Sequence, residues 1–321
     1  MDESMEKVGI VVIGLNEGER LRRCLLSIKD CAKHTIYVDS GSVDGSVQLA
    51  QAWGFKTLIL DKSAIPTAGK ARNAGFQSLL QLDPNFSHIQ FIDGDCQLNE
   101  NWLSAAGEEL NHRRNVAIVC GHLHEKDVES SIYQRLCELE WRKLPGEIHA
   151  AGGIFMIKTE VFQEIGGFDP HILAGEDDEF CFRVRRKGWQ ILHLDCNMAI
   201  HDGGIHRFSQ WWKRSMRAGV AYAQGFELHG KTEEKYFRRQ CRSIWVWGCL
   251  LPLFALLFAL FYSLWGLLAL LGYPLLLMKT VAHYRALKWS WTDTLLYSIF
   301  CVIAKFPGFL GVLKFHFKRL F

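Results

Sequence analysis

The sequence predicts an α/β protein: a doubly wound mixed sheet with a Rossmann-like, nucleotide-binding half, followed by a C-terminal transmembrane or interfacial helical region. Three observations carry that reading. Short apolar runs at Val8–Ile13, Thr35–Val38, Lys56–Leu60 and His88–Ile92 alternate with segments of helical periodicity, which is the order of a parallel half-sheet. Two of the runs end in acids, Asp39 and Asp93-Gly94-Asp95, and open α/β sheets meet their ligands beyond the carboxyl ends of the strands. Finally, Ile244–Met278 carries no charged side chain over 35 residues. One crossing needs roughly 20 apolar residues, so this run suits two short crossings.

Bulk properties narrow the class. A net charge of +3 on 321 residues does not mark a nucleic-acid binder, and no nucleic-acid partner is expected. Ten cysteines without a C-x-x-C pair argue against zinc and against a disulfide framework, and suit a reducing compartment. The polar start Met1–Lys7 has no apolar core of a signal peptide. Lys213, Arg214, Arg217, Lys231, Lys235, Arg238, Arg239 and Arg242 crowd the approach to the apolar run. A basic flank of this kind faces anionic lipid on the cytoplasmic side, which predicts an inner-membrane protein with its soluble part in the cytoplasm.

Taken in order, Val8–Ile13 is a strand buried on both faces, Gly14–Glu17 ends it, and Leu21, Leu25 and Ile28 form the apolar face of a helix. Thr35–Val38 ends in Asp39, whose carboxylate can accept hydrogen bonds from a base or a ribose. The turn Ser40–Ser46 then leads into a helix with Val43, Val47 and Ala50 expected inward. After Lys56–Leu60, a helix opens at Ala68-Gly-Lys-Ala-Arg-Asn-Ala-Gly75. Gly69 allows close backbone approach, and Lys70 and Arg72 in a first turn suit a diphosphate.

The strand His88–Ile92 delivers Asp93 and Asp95, the spacing at which two carboxylates share a divalent cation; all-oxygen ligands favour Mg²⁺ or Mn²⁺ over zinc. A helix over about Asn101–Arg113, a strand Val116–Cys120, a helix Ser131–Leu144 carrying Trp141 and a glycine-started strand Ala150–Ile157 follow. Gly175-Glu-Asp-Asp-Glu179 opens a helix with more acid than a cap needs, so one carboxylate there is a candidate general base. Trp189–Leu194 is a strand, and Met198–Asp202 ends in His201, a candidate to complete a metal shell. The segment His206–Gln224 puts Phe208, Trp211 and Trp212 beside Lys213, Arg214 and Arg217, as in a helix lying in a membrane interface.

The set Asn16-Glu17, Val38–Ser46, Gly69–Gly75, Asp93-Gly-Asp95, Gly166-Gly-Phe-Asp169 and Glu176-Asp-Asp-Glu179, in that order over about residues 7–225, resembles glycosyltransferase family 2. The resemblance implies a GT-A fold, a nucleotide-sugar donor, a divalent metal (Mg²⁺ or Mn²⁺) and inversion at the anomeric carbon. By position, Asp39 would contact the nucleotide, Arg72 would lie near the diphosphate, Asp93 and Asp95 would form the D-x-D metal site, and Asp177 would be the general base. Asn16, Glu17, Lys70, Asn73 and Asp93 join them on the donor side, and Gly152, Gly153, Glu176, Trp211 and Trp212 are candidates for the acceptor side. The chain departs from the family at Asp39-Ser40, where two acids are common. It departs again at Gln210-Trp-Trp-Lys-Arg214, where processive synthases carry Gln-x-x-Arg-Trp; addition of a single sugar is therefore expected.

The expected organisation is a catalytic domain over 1–230, a basic juxtamembrane segment 231–243, and a membrane region 244–321. The last comprises a hairpin over 244–278 and re-entrant or interfacial helices over 289–321, with Lys314, Lys318 and Arg319 kept inside. A soluble face anchored at a bilayer is expected to meet membrane lipids and a lipid-linked acceptor, either a polyprenyl-linked glycan or polyprenyl phosphate itself. A non-catalytic, membrane-anchored nucleotide-binding scaffold is the alternative from another class.

Overall fold

The computed structural model describes residues 8–61 and 67–317. The polar start Met1–Lys7 and the basic pair Lys318 and Arg319 lie outside the described residues. The chain forms two compact units. The first comprises the chain to Val128, Glu140–Ile172 and Glu176–Gly204; the second comprises Glu129–Leu139, Leu173–Gly175 and the chain from Ile205.

The first unit is a mixed sheet with helices between its strands. In chain order it runs β1 (Val8–Gly14), α1 (Glu19–Ser27), β2 (Thr35–Asp39), α2 (Ser46–Ala52), β3 (Lys56–Ile59), α3 (Ala68–Leu82), β4 (His88–Asp93), β5 (Cys96–Leu98), α4 (Trp102–His112) and β6 (Val116–Glu125). Strands β7 (Gly146–Glu147) and β8 (Phe155–Lys158), helices α6 (Thr159–Ile165) and α7 (Glu176–Arg186) and strand β9 (Gln190–His201) follow; helix α5 (Ile132–Trp141), between β6 and β7 in the chain, belongs to the second unit as far as Leu139 and to the first only at Glu140 and Trp141. The strand order is β3-β2-β1-β4-β8-β6-β9-β5, with β7 also paired to β9. Strands β3, β2, β1 and β4 are parallel, β8 runs antiparallel between β4 and β6, and β5 runs antiparallel to β9.

Sequence explains the tight layers. Strand β1 is apolar throughout and buried from Val8 to Ile13, as a strand covered on both faces must be. Helix α3 lies close on it because Gly75 has no side chain: a Cβ there would run into Val11. Behind the sheet's ligand edge, Phe91, Phe155, Phe162, Phe168 and Phe180 are all buried, with Phe168 and Phe180 rings 4.7 Å apart. Val43 differs from expectation. It is 84% exposed, because it belongs to the turn before α2, where Asp39 and Asn16 hold the backbone and no helical face has begun.

Strand β9 runs on to His201, past Leu194 where the sequence reading ends it. Its parallel register with β6 slips, Cys120 facing His193 but His122 facing Asn197, so extra residues bulge out around Asp195. Gly121 makes the bulge possible: a Cβ there would lie 2.6 Å from the Cys196 carbonyl and 2.8 Å from the Trp102 ring. The polar residues of the bulge interrupt the apolar alternation by which a strand is recognised.

The second unit is helical: α8 (Phe208–His229), α9 (Arg238–Trp245) continued by a π-turn into α10 (Leu251–Phe261), a 3₁₀ segment Leu264–Leu271 continued into α11 (Gly272–Ala286), then α12 (Trp291–Ile303) and α13 (Lys305–Phe317). Three stretches, Arg238–Phe261, Leu264–Ala286 and Trp291–Phe317, are long and apolar enough to cross a membrane. The second extends past Met278 because Lys279 and Arg285 do not interrupt helical pairing. Helix α13 packs backbone-close on α8: Cβ atoms at Gly219 and Gly311 would collide with the carbonyls of Gly308 and Met216.

Candidate active site

Three parallel strands end side by side, with Gly14 opposite Asp39 and Ile13 opposite Asp93. Asp39 is fully buried. One of its oxygens accepts from the amides of Gly41 and Ser42 at 2.8 and 2.7 Å, and the other from the Tyr37 hydroxyl at 2.8 Å. Asn16, held at φ 57°, ties down the same turn: its amide donates to Ser42 Oγ and its side chain accepts from the Val43 amide. Glu17 comes next, paired with Arg20 at 2.7 Å. Burial, then the charge of Asp95, push its carboxyl up to about 7, with Arg20 pulling the other way.

Arg72 organises the next layer. It is 2% exposed and grips Asp93 Oδ1 with one nitrogen and Glu176 Oε1 with the other, both at 2.7 Å. Its guanidinium also lies over the Phe168 ring at 5.5 Å. Gly153 leaves the room: a Cβ there would stand 2.6 Å from Arg72 and 3.3 Å from Asp93 Oδ2. Asn73, one residue along α3, clamps Phe168 by both its backbone groups, at 2.7 and 2.9 Å. Lys70 lies in the first turn of α3, above the N-cap Thr67.

Asp95 meets His201 through strand pairing. Strand β5 begins at Cys96, directly opposite His201 on β9, so Asp95 Oδ2 comes within 3.4 Å of His201 Nε2. Burial alone would lower the His201 ring, but its bonds to Asp95 and Glu125 outweigh this and raise it to about 10. Burial likewise opposes ionisation of Asp95, yet His201 holds its carboxyl below the usual range. Asp93 goes the other way, raised by burial and by Asp95 against the pull of Arg72. Asp95, Cys96 and His201 each offer a ligand atom within 4.8 Å of the others. Burial pushes the Cys96 thiol well up, so it stays protonated and donates to Asp95 Oδ1 at 3.3 Å. The usable donors are therefore carboxylate oxygens and one imidazole, a set that fits Mg²⁺ or Mn²⁺.

Helix α7 supplies the remaining acids. Glu176 is held by Arg72, while Asp177 and Asp178 follow in the same first turn. Burial and then Glu176 raise the Asp177 carboxyl, with Arg72 opposing; burial and then Asp177 push Asp178 up to about 7. A cavity of about 60 Å³ is lined by Asp93, Trp141, Gly152, Gly153, His193 and His201, among others. Trp211 and Trp212 lie on α8 in the second unit, where the buried Trp211 ring packs on Phe300 at 4.8 Å. Gln210 caps α8 by accepting from the amides of His206 and Arg207.

Sequence reasoning did not single out Glu125 or assign Trp141 a role. Glu125 is a further acid at a strand's end, and the signal was there in the alternation His122-Leu-His-Glu125; reading the strand as ending at Cys120 hid it.

Compared with known proteins, residues 9–166 match the profile described as Glycosyl transferase family 2, and residues 88–310, over half of the chain, match Glycosyl transferase family group 2. The chain belongs to glycosyltransferase family 2. It is accordingly a glycosyltransferase that uses a nucleotide-sugar donor. Glycosyltransferase AglE of Haloferax volcanii is 20% identical over 267 residues, covering 78% of this chain and 84% of AglE. Human polypeptide N-acetylgalactosaminyltransferase 10 is 26% identical over 165 residues, 43% of this chain, and the match spans only 26% of that enzyme.

The fold is GT-A. The mannosyltransferase PcManGT from Pyrobaculum calidifontis, in complex with GDP-Man and Mn²⁺, superposes with a TM-score of 0.60 at 13% identity, covering 98% of this chain and 88% of that one. Residues 1–349 of S. aureus TarS superpose with a TM-score of 0.50 at 15% identity, covering 91% and 89%.

Proposed function

We propose that this family 2 enzyme transfers one sugar, with inversion, from its nucleotide-sugar donor to a hydroxyl of a membrane-associated, polyprenyl-linked acceptor. The observation that carries the reading is Arg72, which bonds Asp93 and Glu176 at once and so joins the strand-end acids to the helix turn that bears Asp177. An inverting transfer is a single displacement. It needs a base on one face of the sugar and charge compensation for the nucleoside diphosphate leaving from the other.

In this scheme Asp177 accepts the proton of the acceptor hydroxyl as its oxygen bonds to the anomeric carbon and the bond to the diphosphate breaks. Its raised carboxyl suits that task better than an ordinary aspartate. Asp95 and His201, with Asp93, would hold a divalent cation, Mg²⁺ or Mn²⁺; the Mn²⁺ held by PcManGT beside GDP-Man supports this. When bound, the ion supplies positive charge for the departing diphosphate. His201 must release its Nε2 proton to serve as a ligand. Lys70, Asn16, Glu17, Asp39 and Asn73 are assigned to shaping the donor side, and Gly152, Gly153 and Glu176 to the acceptor side.

The lipid-linked acceptor is inferred from the apolar helices, and the cytoplasmic orientation at an inner membrane from the basic residues that precede them. The test is binding and turnover of UDP-, GDP- and dTDP-sugars by purified protein, with and without Mn²⁺, beside Asp95→Ala and Asp177→Asn. Expected are metal-dependent donor binding lost in Asp95→Ala, and binding kept but turnover lost in Asp177→Asn. Turnover surviving in Asp177→Asn would point to polyprenyl phosphate, whose ionised oxygen needs no base. No donor binding under any condition would leave the scaffold reading in place.

A further inference from the structure

We infer that Glu125 is a positioning residue for the cation site, fixing the His201 ring and, through the same carboxylate, the Trp141 indole. The inference rests on the reading of His201 as a ligand. The backbone brings the two together: Glu125 ends β6 in direct register with His201 at the end of β9, and the Lys126 amide donates to the His201 carbonyl at 2.8 Å. With Cys96 opposite on the other side, the backbone of His201 is fixed between two strands. What remains free is the ring.

Glu125 removes that freedom. Its side chain is fully buried, and Oε1 lies 2.6 Å from His201 Nδ1. The Trp141 Nε1–H donates to the same oxygen at 3.0 Å, and the Gly203 amide to Oε2 at 3.3 Å. A carboxylate facing Nδ1 demands a proton there, which leaves Nε2, the nitrogen turned to Asp95, as the atom able to bind a cation. The Trp141 ring meets the imidazole edge-on, centroids 5.9 Å apart, closing off rotation on that side. Trp141 and His201 both line the cavity beside Asp93, so one buried carboxylate sets both the ligand and the wall next to it.

An amide cannot replace this carboxylate. Placed as Glu125→Gln, it must present its NH₂ either to the Gly203 amide, donor against donor, or to His201 Nδ1. The second choice favours the wrong tautomer, with the proton on Nε2.

The experiment measures Mn²⁺ affinity from the free-Mn²⁺ electron paramagnetic resonance signal, without donor, in wild type, Glu125→Gln, His201→Ala and Trp141→Phe. Far-UV circular dichroism and the thermal midpoint check that each is folded. Expected is a loss of about ten- to a hundredfold in Glu125→Gln, with a loss at least as large in His201→Ala. Trp141→Phe keeps the Glu125–His201 bond and is expected to stay close to wild type. Its normal affinity beside a weakened Glu125→Gln separates positioning of the ring from general loosening of the pocket. Wild-type affinity in Glu125→Gln with loss in His201→Ala would overturn the role of Glu125 alone. Wild-type affinity in both would overturn the cation site itself. Should Glu125→Gln fail to fold, Glu125→Asp, a carboxylate one methylene shorter, takes its place with the same two outcomes.

Discussion

Asp177 and Asp178 are consecutive carboxyls in one helical turn, and they cannot ionise independently. Asp178 faces Asp177, Lys143, Glu176 and Glu140; Asp177 faces Glu176 and Arg72. A base works only when ionised, so turnover should fall as pH drops through the raised pKa of Asp177, an acid limb above the ordinary carboxylate range. Asp178, pushed up to about 7 by burial and then by the Asp177 charge, ionises after it, so Asp178→Asn removes no negative neighbour at the Asp177 step and should leave that limb in place. Asp177→Asn should cut turnover by about 10²–10⁴-fold and abolish the limb. A pH profile of kcat for the three proteins checks this; a limb that moves in Asp178→Asn would show that the Asp178 charge acts on the base.

Arg72 makes a second prediction at this scale. Arg72→Ala leaves Asp93 and Glu176 without their buried partner, a change worth about 3–5 kcal/mol against the fold, read by chemical denaturation. Arg72→Lys should recover little, because a single ammonium cannot span both acids. The acids of the site were legible as residues, since Asp93, Asp95 and Asp177 stand at a strand's end or a helix's start where apolar periodicity stops. The two ion pairs of Arg72 were not. A basic residue in a first turn reads as a phosphate ligand, and only the fold brings Glu176, 104 residues away, onto its other nitrogen.

Elements show the same division between what is local and what is not. Strands β1, β2, β3 and β4 follow from β-branched runs and turn chemistry within a few residues. Strand β5 has three residues and no pattern of its own; it exists because β9 lies alongside, and that pairing is what delivers Asp95 to His201. The β9 bulge hid a long strand for a related reason, since its register is set by β6 and not by its own sequence. Gly121 is the test of this account. Gly121→Val should press on the Cys196 carbonyl and the Trp102 ring and destabilise the fold by about 1–3 kcal/mol. It should also weaken Mn²⁺ binding, because the strand ends beyond the bulge carry Glu125 and His201. Denaturation midpoints and Mn²⁺ titration measure both effects, and a variant destabilised without loss of affinity would show the bulge to be irrelevant to the site.

For the molecule as a whole, three apolar stretches have the length and composition of membrane spans, and the prediction is two crossings, not three. Packing within the helical unit argues for two. Helix α13 touches α8 backbone to backbone at Gly308 with Gly219 and at Gly311 with Met216, and α8 carries Lys213, Arg214 and Arg217 within a turn of those contacts. Sinking α13 to the bilayer centre would take these cations with it, at about 2.5–3.5 kcal/mol each. Lying in the interface instead leaves all three, and Lys305 and Lys314 on α13 itself, at the level of lipid headgroups. Arg238–Phe261 and Leu264–Ala286 then form the hairpin that crosses. Single cysteines introduced at Lys213, Lys288 and Lys314 test this in sealed vesicles of known orientation. A membrane-impermeant thiol reagent should label all three from the same side, above the background of the parent protein. Labelling of position 314 from the opposite face would establish a third crossing, and α8 would then have to meet α13 through a membrane-embedded basic surface.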